Sequence, residues 1–239
     1  MTQEKQTREL IRLESLWKIY RYGSVDVKAL RGVNVSIREG EYVSIMGHSG
    51  SGKSTMLNIL GCLDKPSQGS YWLDGQDVAK MEDDELSEIR CSTIGFIFQS
   101  FNLVPQLDVI ENIQVPLYYA GWPEDESRGR AMEMAEKVGL ADRIDHKPTQ
   151  LSGGQQQRVA IARALASDPL LILADEPTGN LDTSTSREVL EILDGLSAEG
   201  VTLILVTHDP EVARHTQRVL YLVDGNFQKD GPPAEVLRR

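Results

Sequence analysis

The chain has 239 residues, with 25 Lys and Arg against 36 Asp and Glu, for a formal net charge of −11. That length buries a substantial core and suits one domain carrying an inserted subdomain. The acidic balance, with no Lys/Arg-rich block and few aromatics, excludes a basic nucleic-acid groove, so no nucleic acid is expected as a partner. No apolar stretch approaches the ~20 residues that span a bilayer, and Met1-Thr2-Gln3-Glu4-Lys5 lacks a signal peptide's apolar core. Cys62 and Cys91 have no metal-ligand spacing and read as small residues in a reducing cytoplasm.

Leu10–Tyr20 and Val33–Ile37 alternate as half-buried strands, with Glu39-Gly40 as a turn. The apolar run Tyr42–Met46 leads into Gly47-His48-Ser49-Gly50-Ser51-Gly52-Lys53-Ser54-Thr55, and then into Met56, Leu57, Ile59 and Leu60. Strand, glycine-rich turn and helix are the context a phosphate-binding loop needs. The glycines let successive N–H groups turn inward, and the helix beginning near Lys53 adds its positive dipole end. Lys53 is expected to reach the β- and γ-phosphates, and the Ser54 hydroxyl to ligate Mg²⁺. Without those flanks the run would be an ordinary glycine turn. Ser70–Leu73 followed by Asp74-Gly75 predicts a strand and a tight turn. The acidic run Glu82–Glu85 suits a helix start, and Ile94–Phe98 reads as a strand ending at Gln99.

Beyond Gln99 the pattern turns helical, around Val109–Tyr118 and Glu124–Val138. Leu151-Ser152-Gly153-Gly154-Gln155 precedes another helix. Ser152 is a good N-cap, and the two glycines leave N–H groups uncovered as a second anion site, where a flexible linker is the plainer alternative. Leu170–Ala174 has the character of a strand buried on both faces and ends in Asp175-Glu176-Pro177. One of these carboxylates suits Mg²⁺, and the next could polarise an attacking water; a solvated strand end is the alternative. Val201–Thr207 predicts a core strand leading to His208. Leu220–Val223 with Asp224-Gly225 predicts a closing hairpin, and the residues from Lys229 on are expected to be weakly ordered.

Taken together, these runs resemble the ATP-binding cassette (ABC) ATPase family from Leu10 to Gly225. The resemblance implies an α/β fold: a P-loop NTPase (RecA-like) core with an N-terminal antiparallel β subdomain and an inserted α-helical subdomain. It implies a single domain over 8–228, the helical insertion at about 100–165 and a tail at 229–239. On that resemblance Gln99 is the Q-loop glutamine, joining Ser54 and Asp175 at Mg²⁺, and His208 is the switch histidine beside the γ-phosphate. Asp182, in Asn180-Leu181-Asp182, lies in the D-loop that crosses to a second subunit. Ser152, Gly153, Gly154 and Gln155 belong to the signature that completes the neighbour's ATP site. Tyr20 lies ten positions before Leu30, where related cassettes stack an aromatic on adenine; Tyr22 is a near competitor, and a plain strand aromatic is a third reading. His48 stands where relatives more often carry Pro or a small residue.

The resemblance further implies two copies packed head to tail around two ATP molecules, loosening after hydrolysis. It is closest to the ATPases of the macrolide-exporter, lipoprotein-releasing and cell-division group, through runs such as Asn58–Asp64 and Leu173–Asp182. A separate transmembrane permease subunit is therefore expected, at the cytoplasmic face of the inner membrane, for export or substrate release. A non-transport ATPase driving cell-wall remodelling or division is the alternative. Ser100–Gln114 is expected to face the membrane partner, with Phe101, Leu103, Val104 and Leu107 as apolar contacts or, in part, as core.

Overall fold

The structure, a computed structural model, describes residues 8–238, which fall into two compact units divided at Leu86/Ser87 and Ala198/Glu199. The first unit opens with β1 (Glu9–Tyr22) and β2 (Val25–Arg38), two strands of 14 residues each. They pair antiparallel, with Tyr22 opposite Val25 and Ile11 opposite Ile37. The pair buries Leu13, Leu16, Leu30, Val33 and Ile37, and register shifts between Leu13 and Leu16 and between Leu16 and Lys18 break the strict period of two. β3 (Tyr42–Met46) is buried throughout and runs through the glycine-rich segment into α1 (Lys53–Leu60). β4 (Gln68–Leu73) and β5 (Gln76–Asp77) complete an antiparallel sheet ordered β2-β1-β4-β5. α2 (Asp83–Ser92) starts on three carboxylates, Asp83, Asp84 and Glu85, which favour its dipole.

The second unit holds β6 (Ile94–Ile97), α3 (Val109–Tyr119), α4 (Glu124–Lys137), α5 (Gly153–Leu165), β7 (Leu171–Asp175) and α6 (Thr183–Ala198). β6 and β7 pair in parallel, with Ile97 opposite Ala174, so Gln99 and Asp175-Glu176 leave the two strands at the same end. Asp108 and Glu111 form a capping box that starts α3. The fully buried Asn112 donates to the carbonyls of Val104, Leu107 and Asp108 at 3.2, 3.1 and 2.9 Å and accepts from the Val104 N–H at 2.8 Å. One amide therefore fixes the loop between Gln99 and α3.

The chain then returns to the first unit with β8 (Thr202–Val206), α7 (Pro210–Ala213), β9 (Arg218–Val223), β10 (Asn226–Gly231) and α8 (Pro233–Val236). β8 and β9 flank β3 in parallel, and β10 closes the edge antiparallel to β9. The expected closing hairpin is present, but the residues after Lys229 are not the weakly ordered tail that their polarity suggests. β10 continues to Gly231, opposite Val219, and Val236 of α8 packs with Met46, Ala213 and Val219. An edge strand is held by ladder hydrogen bonds, which polar side chains do not advertise in the sequence.

Candidate functional site

In the first unit, β3 delivers its C-terminal end to a closed loop. At Gly47 a Cβ would strike the Leu222 carbonyl, and at Gly52 (φ +108°) it would lie 2.6 Å from the Ala29 carbonyl oxygen, so both positions need glycine. The Lys53 ammonium donates to the Gly47 carbonyl at 2.8 Å and to the His48 carbonyl at 3.1 Å, which folds its stem across the loop. His48, Ser49 and Gly50 are exposed, and the His48 Nδ1 lies 2.8 Å from the Ser49 carbonyl oxygen. Ser49, Gly50, Gly52, Lys53, Ser54 and Thr55 line a pocket of about 580 Å³, the size of a small-molecule cleft. Lys28 and Asp224 also border it, and nothing in the sequence pattern singled them out.

Ser51, also in the loop, is buried, and its carbonyl accepts from the Gly225 N–H at 2.9 Å, tying the loop to the β9–β10 turn. His208 follows β8 directly and is exposed. Its turn is fastened by Thr207 N–H to the Ile45 carbonyl at 3.2 Å, and by Asp209 N–H to the Thr207 hydroxyl at 3.0 Å. The structure thus brings the switch-histidine candidate beside the strand that carries the phosphate loop.

Tyr20 and Tyr22 are separated by their surroundings. The Tyr20 hydroxyl donates to Asp64 Oδ2 at 2.9 Å, whereas Tyr22 is 68 % exposed. Among the described residues no three His, Cys, Asp or Glu side chains gather into a metal centre. Mg²⁺ takes hard oxygen ligands and completes its shell with phosphate oxygens and water. The exposed Ser54 hydroxyl and the Asp175 and Gln99 oxygens are donors of the right hard type.

In the second unit, Asp175 ends β7, and Glu176 turns the chain with φ +44°, a left-handed conformation costly for a non-glycine residue. The turn is closed by Gly179 N–H to the Glu176 carbonyl at 2.9 Å, and the buried Gln157 donates to the Pro177 carbonyl at 2.6 Å. Gln99 lies over the same turn: a Cβ at Gly179 would be 2.7 Å from Gln99 Nε2. Asn180 Nδ2 donates to the Gln99 carbonyl at 2.9 Å, and Gln99 Nε2 to Asn180 Oδ1 at 3.3 Å. The Q-loop and D-loop candidates are therefore in direct contact.

Asp182 has a local task in addition to the one expected of it. Its carboxylate accepts from the Ser184 and Thr185 hydroxyls at 2.6 and 2.7 Å and from their N–H groups at 3.0 and 3.1 Å, at the start of α6. The Ser184 and Thr185 hydrogen bonds hold its carboxyl well below the usual carboxylate range.

Ser152 caps α5 through a reciprocal box with Gln155, at 3.2 and 2.9 Å. A Cβ at Gly153 would lie 3.3 Å from the Leu181 side chain, and one at Gly154 would collide with the Thr185 methyl. Arg163, farther along α5, donates to the Phe101 and Asn102 carbonyls at 2.9 and 2.6 Å, where both residues have positive φ. Burial lowers its pKa. Asn180 stands in the D-loop run, but its contact with Gln99, like those of Arg163, follows no local spacing.

Residues 30–179 match the family profile described as ABC transporter. The chain is 52 % identical over 221 residues to a Thermotoga maritima protein named an uncharacterized ABC transporter ATP-binding protein, covering 92 % of this chain and 94 % of that one. It is 50 % identical over 225 residues to the Syntrophobacter fumaroxidans protein MacB, named a macrolide export ATP-binding/permease protein. That match covers 93 % of this chain and 32 % of MacB, so the chain spans about a third of it. Among solved structures, the dimeric post-hydrolysis state of the ATP-binding cassette MJ0796 bound to ADP and Pi, from Methanocaldococcus jannaschii, matches with a TM-score of 0.85. That match is 47 % identical and covers 94 % of this chain and 99 % of that one.

Proposed function

Since the chain belongs to the ABC transporter ATP-binding family, we propose that it is the ATP-hydrolysing subunit that powers export or substrate release through a separate transmembrane partner. As an ABC ATPase it binds and hydrolyses ATP. The observation that carries the finer reading is the pocket at the end of β3, where a glycine-shaped loop, the Lys53 ammonium and the α1 N-terminus meet.

In this reading Lys53 and the loop N–H groups hold the triphosphate, and Tyr20 stacks on the adenine. Ser152, Gly153 and Gly154 of a second copy grip the γ-phosphate from the opposite side, with the D-loop around Asp182 beside them. Ser54, Gln99 and Asp175 are the residues that would hold a Mg²⁺ ion, which would supply charge neutralisation at the phosphates. Glu176 accepts a proton from the attacking water, and His208 orients it from beside the γ-phosphate. Loss of that phosphate removes contacts that only the closed dimer makes, so the dimer opens.

The Thermotoga maritima relative, 94 % of which is covered, is named an ATP-binding protein, whereas MacB, 32 % of which is covered, is named an ATP-binding/permease protein; the proposal follows the first arrangement. Among the described residues no helix is long and apolar enough to cross a membrane; the proposed place of work is the cytoplasmic face of the inner membrane. A groove of about 400 Å³ between α3 and α4 supports partner docking. Val104, Leu107, Tyr118, Tyr119 and Trp122 line it, and Glu111 and Glu124 stand on its rim. Its apolar floor and acidic rim suit an apolar cytoplasmic helix of the permease carrying basic residues.

The experiment is Glu176→Gln, which keeps the shape and removes the basic oxygen. Turnover should fall ~10²–10⁴-fold, and gel filtration with Mg-ATP should give a persistent dimer where the parent protein is mostly monomer. Normal turnover, or no ATP-dependent dimer, would overturn the assignment.

A further inference from the structure

Tyr20 lies on β1, and the structure fixes it from several sides. Its hydroxyl donates to Asp64 Oδ2 at 2.9 Å, and the Thr55 side chain hydrogen-bonds it as well. The other Asp64 oxygen accepts from the Lys18 ammonium and from the Lys65 N–H at 2.8 Å. Lys18, two residues before Tyr20 on the same face of β1, also donates to the Lys65 carbonyl at 2.8 Å, and its ammonium lies 4.9 Å from the Tyr20 ring centroid.

The segment after Asp64 is stitched to the same strand: Ser67 accepts from the Ile19 N–H at 3.0 Å, and the Ser67 N–H donates to the Trp17 carbonyl at 2.7 Å. Burial raises the Tyr20 hydroxyl above its ordinary value, and the neighbouring carboxylate raises it further, so the hydroxyl stays a donor at neutral pH. At Asp64, burial is outweighed by the Lys18 and Tyr20 hydrogen bonds, which hold the carboxyl below its ordinary value and keep it a charged acceptor.

The two anchors flank one helix, one in its first turn and one just past its end. Thr55 stands in the first turn of α1, directly after Lys53 and Ser54. Asp64 follows its C-terminal end, where the Leu63 and Asp64 N–H groups donate to the Asn58 carbonyl at 2.8 and 3.2 Å. α1 and the turn after it therefore carry both the phosphate loop and the two groups that hold the Tyr20 hydroxyl. A purine nucleotide is read at two ends, base and phosphates, and the two protein surfaces must keep a fixed separation to grip both without ordering cost.

We propose that Asp64, with Lys18, is a positioning residue for the adenine platform: it clamps the Tyr20 ring to the helix that carries the phosphate loop, and so sets the distance between base stacking and phosphate binding. The Lys18 ammonium stands over one face of the ring, and in this reading the base takes the other. Tyr22, with 68 % of its surface exposed, is not the platform.

The proposal rests on the reading that Tyr20 stacks on adenine, and the test separates the two. Affinities for Mg-ATP and for Mg-tripolyphosphate, which has no base, are measured by calorimetry on the full chain. Tyr20→Ala should weaken ATP but not tripolyphosphate; if it alters neither, or both alike, stacking itself fails and the clamp falls with it.

With stacking intact, Asp64→Asn should weaken ATP on the order of 5-fold, because a charge-assisted hydrogen bond that orders the ring is lost, and leave tripolyphosphate within about 2-fold. Tyr20→Phe, which keeps the ring and the fold but removes the hydroxyl, should show the same split. Adding Asp64→Asn to Tyr20→Phe should then cost nothing more. Equal loss of ATP and tripolyphosphate in Asp64→Asn, or a full additional loss in the double variant, would mean that Asp64 supports only the loop or the fold, and overturns the clamp.

Discussion

Asp182 illustrates how one side chain serves two scales. Four hydrogen bonds from Ser184 and Thr185 saturate its carboxylate at the start of α6, so whatever it does toward a second copy is done by a group already locked in place. The pH consequence follows from the direction of its shift. Its folded pKa lies below the ordinary carboxylate value, so its contribution to stability is complete above that ordinary value and is lost as pH falls through the folded one. Thermal stability should therefore show no dependence on this residue from about pH 5 upward. Asp182→Asn, which keeps part of the cap but cannot titrate, should be less stable than the parent at pH 7, with the gap narrowing below about pH 4. Calorimetry of both proteins across pH 3–8 checks it; a gap that widens on acidification contradicts the ionised cap.

At the scale of elements, the two signature glycines have a reason within their own chain. α5 begins where α6 begins, and Gly154 leaves room for the Thr185 methyl that a Cβ would strike. Gly154→Ala should cost about 1–3 kcal/mol through overpacking. Thr185→Ser removes that methyl yet keeps the hydroxyl that bonds Asp182, so the double variant should recover the lost stability. If the same N–H groups also grip a neighbour's phosphate, ATPase activity should remain below the parent in the refolded double variant; full recovery of both would leave Gly154 a packing residue alone.

The local signals in the sequence, strand–glycine–helix at Lys53, the Ser152 cap and the carboxylates after β7, were legible because each is a short-range pattern with one physical meaning. The contacts of Asp64, Asn180 and Arg163 were not, since their partners lie 44, 81 and 61 or 62 positions away. The C-terminal strand escaped for another reason: β10 presents Asn226, Gln228, Lys229 and Asp230, whose polarity hides backbone pairing with β9.

At the scale of the whole molecule, ATP chemistry does work only if a second surface transmits it, and the α3–α4 groove carries exposed aromatics suited to that. Tyr118 and Tyr119 are 75 and 73 % exposed and stand edge to face at 5.6 Å, beside Trp122 at 40 %. Three large aromatics exposed together on an otherwise acidic chain mark an interaction site more often than chance surface. The loop that floors the groove is the one Asn112 fixes and Arg163 grips, and it begins two residues after Gln99. A permease helix seated there would press on backbone that leads directly to the Q-loop residue. Tyr119→Glu adds a charge to the apolar surface without touching a buried contact, so the free chain should keep its thermal stability and its ATP affinity within about 2-fold. Co-purification with the membrane partner, and ATPase stimulation by it, should fall on the order of 10-fold or more, the loss expected when a central aromatic anchor is replaced by a desolvated charge. An unchanged yield of the complex with unchanged stimulation would place the coupling surface elsewhere on the chain.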